Sequence, residues 1–335
     1  MNIWFNHWFS TAYHFMDMLK EKGYKIIASN RRDICVYKIN ADEFYLEPTN
    51  LSDTKYVDWC IDFCKEHKID IFFPRHCMRA ITARQEEFND INVKVICEEE
   101  KKYFTILNSK KKTMDFFAEN NICNVPEMEI VTTLEEFKKA YKSLRKKYEK
   151  ICIKYDCDEG GTSYKLVDET YNVGLSEITA SHSTWIKYDY LCKCLATKDK
   201  FRSLVVMPYL DGTEISIDCL GLGDKLLAIP RYKLSDRFTK FEMNEEIIKI
   251  AEKFYECMPL TAPFNLQLRY DKDTLYVLEV NTRMAGGSWK TKFMGCEFPV
   301  LAVEKKIGKL KELPTPNKKE MIVGNLEEAI VYDAK

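Results

Sequence analysis

The chain has 335 residues, of which 46% are hydrophobic and 31% charged, a composition that suits two or three packed modules and excludes a disordered or fibrous protein. Its 51 Lys and Arg balance 52 Asp and Glu to a net charge of -1, so the overall charge does not favour a nucleic-acid or anionic-membrane partner. No apolar run approaches the roughly 20 residues that cross a bilayer, and the first residues lack the pattern of a signal peptide. We therefore expect a cytoplasmic protein.

Cysteine usage agrees with that expectation. The sequence contains 13 Cys, an odd number, and many lie inside apolar stretches such as residues 59–61 and 151–153. This placement is typical of buried thiols in a reducing compartment. No C-x-x-C pair occurs and the five His are scattered, so the spacing does not favour a zinc site.

The first hundred residues alternate between strand-like and helix-like segments. Strands are predicted at residues 2–5, 24–28, 69–73 and 93–97, and helices at residues 13–22 and after Ser52. This βαβ pattern indicates a parallel sheet flanked by helices. The first turn, residues 6–10, contains no glycine, which argues against a nicotinamide-binding site of the Rossmann type.

Later segments predict helices and then many strands. A helix is predicted at residues 109–120, and Thr133 with Glu136 forms a capping-box pattern at the start of the next one. Strands follow at residues 151–154, 204–207, 214–220 and 226–229, and then a helix at 244–257. A hairpin is predicted from residues 265–270 and 275–281, and a final strand at 328–332.

The hairpin carries the most informative side chains. Alternation along its second strand places Glu279, Asn281 and Arg283 on one face, and pairing residue 270 with residue 276 places Gln267 opposite Glu279. The carboxylate and amide oxygens suit a hard cation such as magnesium, and so few ligands indicate a nucleoside triphosphate beside the ion. The alternative is an edge hairpin whose outer face is simply solvated.

Phosphate-binding groups are predicted from Lys154 and the Gly160-Gly161-Thr162 sequence that follows it. A lysine at the end of an apolar strand and a flexible glycine pair can offer a cation and N–H donors to phosphates. An ordinary hairpin turn explains the glycine pair equally well. Lys110, in the first turn of its helix, is a further cation, with a plain surface lysine as the alternative.

A broken strand precedes the hairpin. The strand that contains Met207 is interrupted at Pro208, and the chain resumes a strand after Gly212. Such a break exposes backbone groups that can bind an adenine, and proline keeps its carbonyl acceptor. A plain strand-turn-strand connection is the alternative.

Taken in order, these segments and the Gly286-Gly287 pair resemble the ATP-grasp superfamily, especially its carbamoyl-phosphate-synthetase-like and carboxylate-amine ligase branches. The resemblance covers about residues 100–310. It implies an α/β and α+β fold with an N-terminal parallel-sheet pre-ATP-grasp domain, residues 1–98, followed by an ATP-grasp domain of two α+β subdomains, residues 99–335. A small β-rich lid subdomain is expected at about residues 125–208.

The resemblance also implies residue roles. Lys110 and Lys154 contact ATP phosphates, and Arg283 faces the transferred phosphoryl group. The mobile phosphate-covering loop contains Gly160, Gly161 and Thr162. The adenine and ribose contacts are assigned to Met207, Pro208, Tyr209, Leu210 and Glu214. One or two magnesium ions, with manganese as the alternative, are held by Gln267, Glu279 and Asn281.

A carboxylate substrate needs its own cation. Arg231, Lys233 and Arg237 are candidates because arginine can bind a carboxylate through two nitrogen atoms, and an ordinary exposed basic strand and loop is the alternative. Two departures from the family pattern are Pro208, where the family often has an acidic residue, and Thr282, which replaces the usual proline of Asn-Pro-Arg. The glycine loop is also shorter than in the glycine-richest members.

The leading hypothesis is an ATP- and magnesium-dependent ligase that activates a carboxylate as an acyl-phosphate for attack by an amine. A related ATP-grasp carboxylase, or a nucleotide-binding regulatory or partner-binding module with little turnover, are the alternatives. A Rossmann-type oxidoreductase is disfavoured by the glycine-free first turn. The expected partners are small-molecule carboxylate and amine substrates, while their identity and the oligomeric state, a homodimer included, stay open.

Overall fold

A computed structural model describes residues 1–157, 163–170 and 184–332. The chain divides into two compact units, and neither is continuous in sequence. Unit 1 comprises Met1–Phe104, Ile215–Leu266 and Val280–Lys335, and unit 2 comprises Thr105–Glu214 and Gln267–Glu279. The predicted 1–98 and 99–335 division stays a prediction.

The N-terminal part of unit 1 is a five-stranded parallel sheet with the strand order β3-β2-β1-β4-β5. Its strands are β1 Asn2–Asn6, β2 Lys25–Asn30, β3 Glu43–Leu46, β4 Ile71–Phe73 and β5 Lys94–Val95. The helices of this region are α1 Ala12–Glu21, α2 Asp53–Glu66, α3 Met78–Ala83, α4 Gln85–Asp90 and α5 Lys101–Leu107. A 3-10 helix, Val36–Asn40, precedes β3. The predicted parallel sheet is confirmed.

Alternation along β1 explains why both faces of this sheet are covered. Ile3 and Phe5 pack with α1 in one apolar cluster, whereas Trp4 packs with α2 in another. Trp4 also stacks on Phe72 of the neighbouring strand, with ring centroids 4.1 Å apart. A central parallel strand that is buried on both faces has a continuous apolar sequence, and residues 3–5 have this pattern.

A second sheet has six strands in the order β15-β14-β11-β12-β13-β16. Its strands are β11 Glu214–Leu222, β12 Lys225–Lys233, β13 Phe238–Phe241, β14 Phe264–Asp271, β15 Thr274–Asn281 and β16 Met321–Gly324. The boundaries between the two units fall inside α5, β11, β14 and β15. Helices α9 Glu245–Cys257 and α10 Phe298–Lys306 and the 3-10 helix Ser288–Met294 complete this region.

Unit 2 contains the third sheet, which has the order β6-β10-β7-β8-β9. Its strands are β6 Glu129–Val131, β7 Ile151–Tyr155, β8 Lys165–Asp168, β9 Trp185–Lys187 and β10 Leu204–Pro208. The accompanying helices are α6 Lys110–Glu119, α7 Leu134–Arg145 and α8 Tyr188–Leu195. Together with the parallel sheet of unit 1, this confirms the predicted α/β and α+β fold class.

The predicted capping box begins α7. The Glu136 backbone N–H donates to Thr133 Oγ1 at 3.3 Å, and Thr133 N–H donates to the Glu136 carboxylate at 3.2 Å. These reciprocal bonds satisfy N–H groups that the helix itself leaves without partners. Phe137, Tyr141 and Leu144 then form the buried stripe that packs on the sheet of unit 2.

Replacing Thr133 with alanine is expected to lower the free energy of unfolding by about 1 kcal/mol, because the cap bond to Glu136 is lost. The measurement is urea unfolding followed by circular dichroism. Lys139→Ala, on the exposed face of the same helix, is the matched control and should leave the midpoint unchanged. Equal midpoints for the Thr133 variant and the control would contradict the assigned cap.

One strand prediction is wrong. Residues 328–332 have no regular structure, and the last described strand is β16, which pairs antiparallel with β13. Val331 is 86% exposed, so its side chain is not buried against a sheet. A strand requires a partner edge, and the sequence pattern does not say which segment obtains it.

All 13 cysteines are free, and six of them are buried. The six buried thiols agree with the apolar placement that the sequence predicts, and the other seven are partly or fully exposed. Among the described residues, no helix combines the length and apolarity that a membrane span requires.

Candidate nucleotide and metal site

Lys154 lies near the end of β7, in the middle of the unit 2 sheet, where it pairs with Val205 of β10. Burial lowers the pKa of its ammonium group, the carboxylate of Glu279 raises that pKa, the ammonium of Lys110 lowers it and Glu214 raises it. Three residues that the sequence assigns to the same site, Lys110, Glu214 and Glu279, therefore lie within electrostatic reach of Lys154. The ammonium groups of the half-buried Lys154 and the buried Lys110 repel each other, and an anionic ligand would offset that repulsion, which makes this cluster a candidate functional site.

Lys110 is the first residue of α6 and is only 7% exposed, so the plain surface alternative is wrong for it. Its ammonium donates to the Asp156 carbonyl at 3.2 Å, just after β7. Ser109 caps the helix and also donates to the Asp156 carboxylate at 2.8 Å. These bonds attach the start of α6 to the end of β7, which places Lys110 beside Lys154.

The predicted phosphate-covering residues Gly160, Gly161 and Thr162 lie outside the described residues, so their role stays a prediction. The residues that flank them are described. Strands β7 and β8 are antiparallel neighbours, and Tyr155 N–H donates to Ser163 Oγ at 2.9 Å. The segment that carries the glycine pair therefore connects two adjacent strands beside Lys154.

The predicted break at Pro208 is present, since β10 ends there and β11 begins at Glu214. The connection is held on the β14 side by two backbone bonds, from Gly212 N–H to the Tyr270 carbonyl at 3.0 Å and from Tyr270 N–H to the Thr213 carbonyl at 3.1 Å. A Cβ on Gly212 would lie 2.6 Å from that carbonyl oxygen, so only glycine fits.

The adenine assignment concerns the same connection. Met207, Pro208 and Leu210 are buried, and the Tyr209 backbone N–H is engaged by the Lys150 carbonyl at 2.9 Å. Tyr209 N–H therefore already has a hydrogen-bond acceptor within the protein. The predicted contacts with adenine would have to come from the other backbone groups of residues 207–210.

The predicted magnesium ligands lie on neighbouring strands. Gln267 of β14 and Glu279 and Asn281 of β15 are all half-buried. Among the described residues no group of three or more His, Cys, Asp or Glu side chains could hold a metal ion, so a site here would depend on one carboxylate and amide oxygens. Such a donor set fits magnesium that takes further ligands from a triphosphate and water.

The predicted pairing of Gln267 with Glu279 stays a prediction, although the strand bounds add a constraint. Only residues 272 and 273 separate β14 from β15, and a two-residue turn alone would place Gln267 opposite Leu278. Leu278 and Glu279 are consecutive half-buried residues that interrupt the alternation of β15. A β-bulge produces this pattern and shifts the register by one residue, which would bring Gln267 opposite Glu279.

Arg231 has a buried partner that sequence reasoning missed. Its guanidinium donates to the Asp218 carboxylate from Nε at 2.5 Å and from Nη2 at 3.2 Å. Asp218 is 1% exposed and also accepts from Ser288 Oγ at 2.6 Å and from Asn265 Nδ2 at 3.0 Å. We call Asp218, Arg231, Asn265 and Ser288 the Asp218 network. The one sequence signal is a lone carboxylate within the otherwise apolar residues 217–220.

The three predicted carboxylate clamps differ in burial and in their ion-pair partners. Arg231 is buried and oriented by Asp218, whereas Lys233 and Arg237 are exposed and form surface ion pairs with Asp236 and Glu327. The role of Arg231 toward a substrate stays a prediction. Sequence reasoning missed a neighbouring cation, the buried Lys290, which donates to Thr239 Oγ1 at 2.8 Å. Burial lowers the pKa of Lys290, and Arg231 lowers it further.

Arg283 follows β15 rather than continuing it, and its guanidinium carbon lies 5.1 Å from the centroid of the Phe9 ring. The glycine pair that follows has a packing role. A Cβ on Gly287 would lie 2.6 Å from Arg231 Nη1, and one on Gly286 would lie 3.3 Å from Thr11 Oγ1. Gly287 therefore leaves room for the arginine of the Asp218 network.

The sequence is similar to one protein family and to curated proteins. Residues 200–329 match a family described as ATP-grasp in the biosynthetic pathway with Ter operon. The chain is also 23% identical over 314 residues to the carbamoyl phosphate synthase large chain of Clostridium acetobutylicum, a match that covers 88% of this chain and 27% of that protein. The chain thus spans about a quarter of the length of the curated relatives it matches.

Solved structures share the fold. The L-amino acid ligase from Bacillus licheniformis is similar with a TM-score of 0.64 at 16% identity, over 91% of this chain and 74% of that chain. The biotin carboxylase domain dimer of Hydrogenobacter thermophilus 2-oxoglutarate carboxylase, crystallised with MgADP, ADP and bicarbonate, is similar with a TM-score of 0.68 at 14% identity, over 96% and 73%. The chain therefore has the fold of the ATP-grasp superfamily, and the resemblance to that superfamily in its sequence is confirmed.

Proposed function

We propose that the protein is an ATP- and magnesium-dependent ligase that activates a carboxylate as an acyl-phosphate and transfers the acyl group to an amine. The observation that carries the proposal is the cluster of Lys110, Glu214 and Glu279 around Lys154, a half-buried lysine of unit 2. Two lysines and a carboxylate fit a triphosphate and its divalent ion, because the ammonium groups would bind phosphate oxygens and Glu279 would be a ligand of the ion.

The chain's own residues would act mainly by position and charge. Lys110 and Lys154 would bind phosphate oxygens, Glu214 would accept from the ribose, and Gln267, Glu279 and Asn281 would hold one or two magnesium ions. Bound magnesium would neutralise charge that develops on the transferred phosphoryl group. Arg283 would face the same group. Phosphoryl transfer needs little acid-base chemistry from the protein, so a few fixed cations are sufficient.

The proposed reaction balances in two steps. A carboxylate oxygen attacks the γ-phosphorus, the bond to the β,γ-bridging oxygen breaks, and ADP leaves with that electron pair. The amine nitrogen then attacks the acyl carbon, the carbon–oxygen bond to phosphate breaks, and the nitrogen releases a proton to solvent. Phosphate therefore retains one oxygen atom from the carboxylate.

The named relatives support this reaction class. The structural neighbour from Bacillus licheniformis is an amino acid ligase, and the sequence relative is a carbamoyl phosphate synthase large chain. A carboxylase is the second candidate, because a biotin carboxylase domain solved with bicarbonate has the same fold. In that reaction bicarbonate would take the place of the organic carboxylate.

Oxygen transfer distinguishes these candidates. We expect ADP release that requires magnesium, a carboxylate and an amine, with ¹⁸O passing from the labelled carboxylate to phosphate, as measured by mass spectrometry. Release with ¹⁸O-bicarbonate and no organic carboxylate would instead indicate the carboxylase. Tight ATP binding without ADP release from any pool of carboxylates, amines and bicarbonate would reject both and favour a nucleotide-binding module.

A further inference from the structure

Strand β16 forms one edge of the six-stranded sheet. It pairs antiparallel with β13 on its inner side, and no other strand of the described chain pairs with its outer side. We call that outer side the open edge. An edge strand presents a row of backbone N–H and C=O groups that a further strand can bind.

The direction of the backbone groups along β16 follows from one hydrogen bond. Asn325 N–H, just after the strand, donates to the Arg237 carbonyl at 2.9 Å and so continues the pairing with β13. Backbone groups of alternate residues point to opposite sides of a strand, so those of Val323 also point to β13. The N–H and C=O groups of Ile322 and Gly324 therefore point to the open edge.

Charged residues of opposite sign flank the two ends of β16. Lys318 and Lys319 precede the strand, Glu327 and Glu328 follow it, and all four side chains are exposed. Glu327 forms a surface ion pair with Arg237 at 3.2 Å, whereas the two lysines form no ion pair with any described carboxylate. A strand with cations before it and anions after it is complementary in charge to an antiparallel copy of itself.

These charges select one register for a second copy. When the two-fold axis passes beside Val323, residue 318 of each copy lies opposite residue 328 of the other, and residue 319 lies opposite residue 327. Each side of the axis then has two Lys–Glu pairs. The same register places Ile322 opposite Gly324, so that backbone groups at the open edge can form two hydrogen bonds at each such pair.

The neighbouring registers are less favourable. An axis beside Ile322 would place the two lysines opposite Leu326 and Asn325, and no charge would be paired. An axis beside Gly324 would place Glu320 opposite Glu328. Like charges that face each other across antiparallel strands are destabilising, so the register centred on Val323 is preferred.

Side chains on the same strand fit this register. Ile322 is 62% exposed, and the Phe238 ring lies so close to Gly324 that a Cβ there would be 2.8 Å from it. In the register centred on Val323, Ile322 faces Gly324 of the second copy, which has no side chain to block it, and lies beside the Phe238 ring of that copy. Pairing would therefore cover an apolar side chain that is exposed in the single chain.

We propose that the open edge of β16 is a self-association surface, at which two copies of the chain pair antiparallel about a two-fold axis beside Val323. The two six-stranded sheets then form one continuous sheet, and the partner is a second copy of this chain. A single short strand buries less surface than a permanent dimer interface does. We therefore expect a monomer–dimer equilibrium with a Kd of about 1–100 μM.

Sedimentation equilibrium of the full chain at low salt tests the proposal. Two double variants reverse the charges, Lys318→Glu with Lys319→Glu and Glu327→Lys with Glu328→Lys. Each should raise the Kd by about tenfold or more, because like charges then face each other. An equimolar mixture of the two should dimerise as the wild type does, since opposite charges face each other again. Lys309→Glu with Lys311→Glu, two exposed lysines outside β16, is the matched control and should leave the Kd unchanged.

Ile322→Pro tests the backbone pairing. Proline removes an N–H that points to the open edge and leaves the bonds to β13 in place, and edge strands accommodate it. We expect loss of the dimer with an unchanged circular dichroism spectrum.

Three results would overturn the proposal. The first is a wild-type chain that stays monomeric at about 500 μM. The second is a dimer whose Kd is the same in the charge-reversed variants, in Ile322→Pro and in the control. The third is a mixture of the two charge-reversed variants that fails to dimerise. None of these measurements involves nucleotide, so failure here leaves the ADP-release test unaffected.

Discussion

Replacing Glu279 with glutamine is expected to slow magnesium-dependent ADP release by about 100- to 1000-fold. Glu279 is the one carboxylate among the proposed metal ligands, and glutamine keeps its shape while removing the charge. The same carboxylate favours the charged form of the half-buried Lys154. The substitution should therefore weaken both the metal ion and the cation that faces the phosphates. The measurement is the initial rate of ADP release over a magnesium titration.

The pH dependence supplies a second readout. Because burial lowers the pKa of Lys154 below its usual value, the activity that depends on its charge is expected to be lost as the pH rises through that lowered pKa. Removing Glu279 removes a group that raises this pKa, so the alkaline loss should move to lower pH in the variant. Glu256→Gln, an exposed carboxylate of α9, should change neither the rate nor the profile. Wild-type turnover in Glu279→Gln would reject the metal assignment.

Replacing Arg231 with methionine is expected to lower the free energy of unfolding by about 3–5 kcal/mol. Asp218 has 1% of its surface exposed. The substitution removes the guanidinium that now pairs with its carboxylate through two nitrogen atoms, so a buried negative charge loses its counter-charge. The hydrogen bonds from Ser288 and Asn265 remain, but they do not replace a full charge. Urea unfolding of the full chain, followed by tryptophan fluorescence and circular dichroism, measures the effect.

A double substitution shows whether the loss of unfolding free energy comes from the unpaired Asp218 carboxylate. Arg231→Met combined with Asp218→Asn should recover part of the stability, since the pair is removed together. Arg237→Met, an exposed arginine that pairs with Glu327, should cost less than about 0.5 kcal/mol. If Arg231→Met also lowers the free energy of unfolding by less than about 0.5 kcal/mol, the buried Asp218 carboxylate does not require Arg231 for its stability.

Local signals in the sequence predict the elements well. The capping box at Thr133, the buried stripe of α2 from Tyr56 to Cys64, and the break at Pro208 each depend on residues a few positions apart. The resemblance to the ATP-grasp superfamily also follows from short motifs in a fixed order. These features are determined by neighbours along the chain, which is why a single sequence reveals them.

Contacts between distant segments are what the sequence could not predict. Asp218 is bound by residues 13, 47 and 70 positions away, and no periodicity connects them. In the sequence, Lys110 resembles a surface lysine because Lys111 and Lys112 follow it. Only the structure shows that it is 7% exposed and that its ammonium donates to the Asp156 carbonyl. His7, Arg31 and His76, likewise, follow three separate strands, and only the sheet brings them to one edge.

The interleaving of the two units limits how the protein can be dissected. The chain passes from one unit to the other four times, at 104/105, 214/215, 266/267 and 279/280, and three of these points lie within strands. No single proteolytic cut or truncation releases either unit whole. A fragment that ends at any of the last three points divides the six-stranded sheet, so single-residue exchange in the intact polypeptide is the practical way to assign its parts.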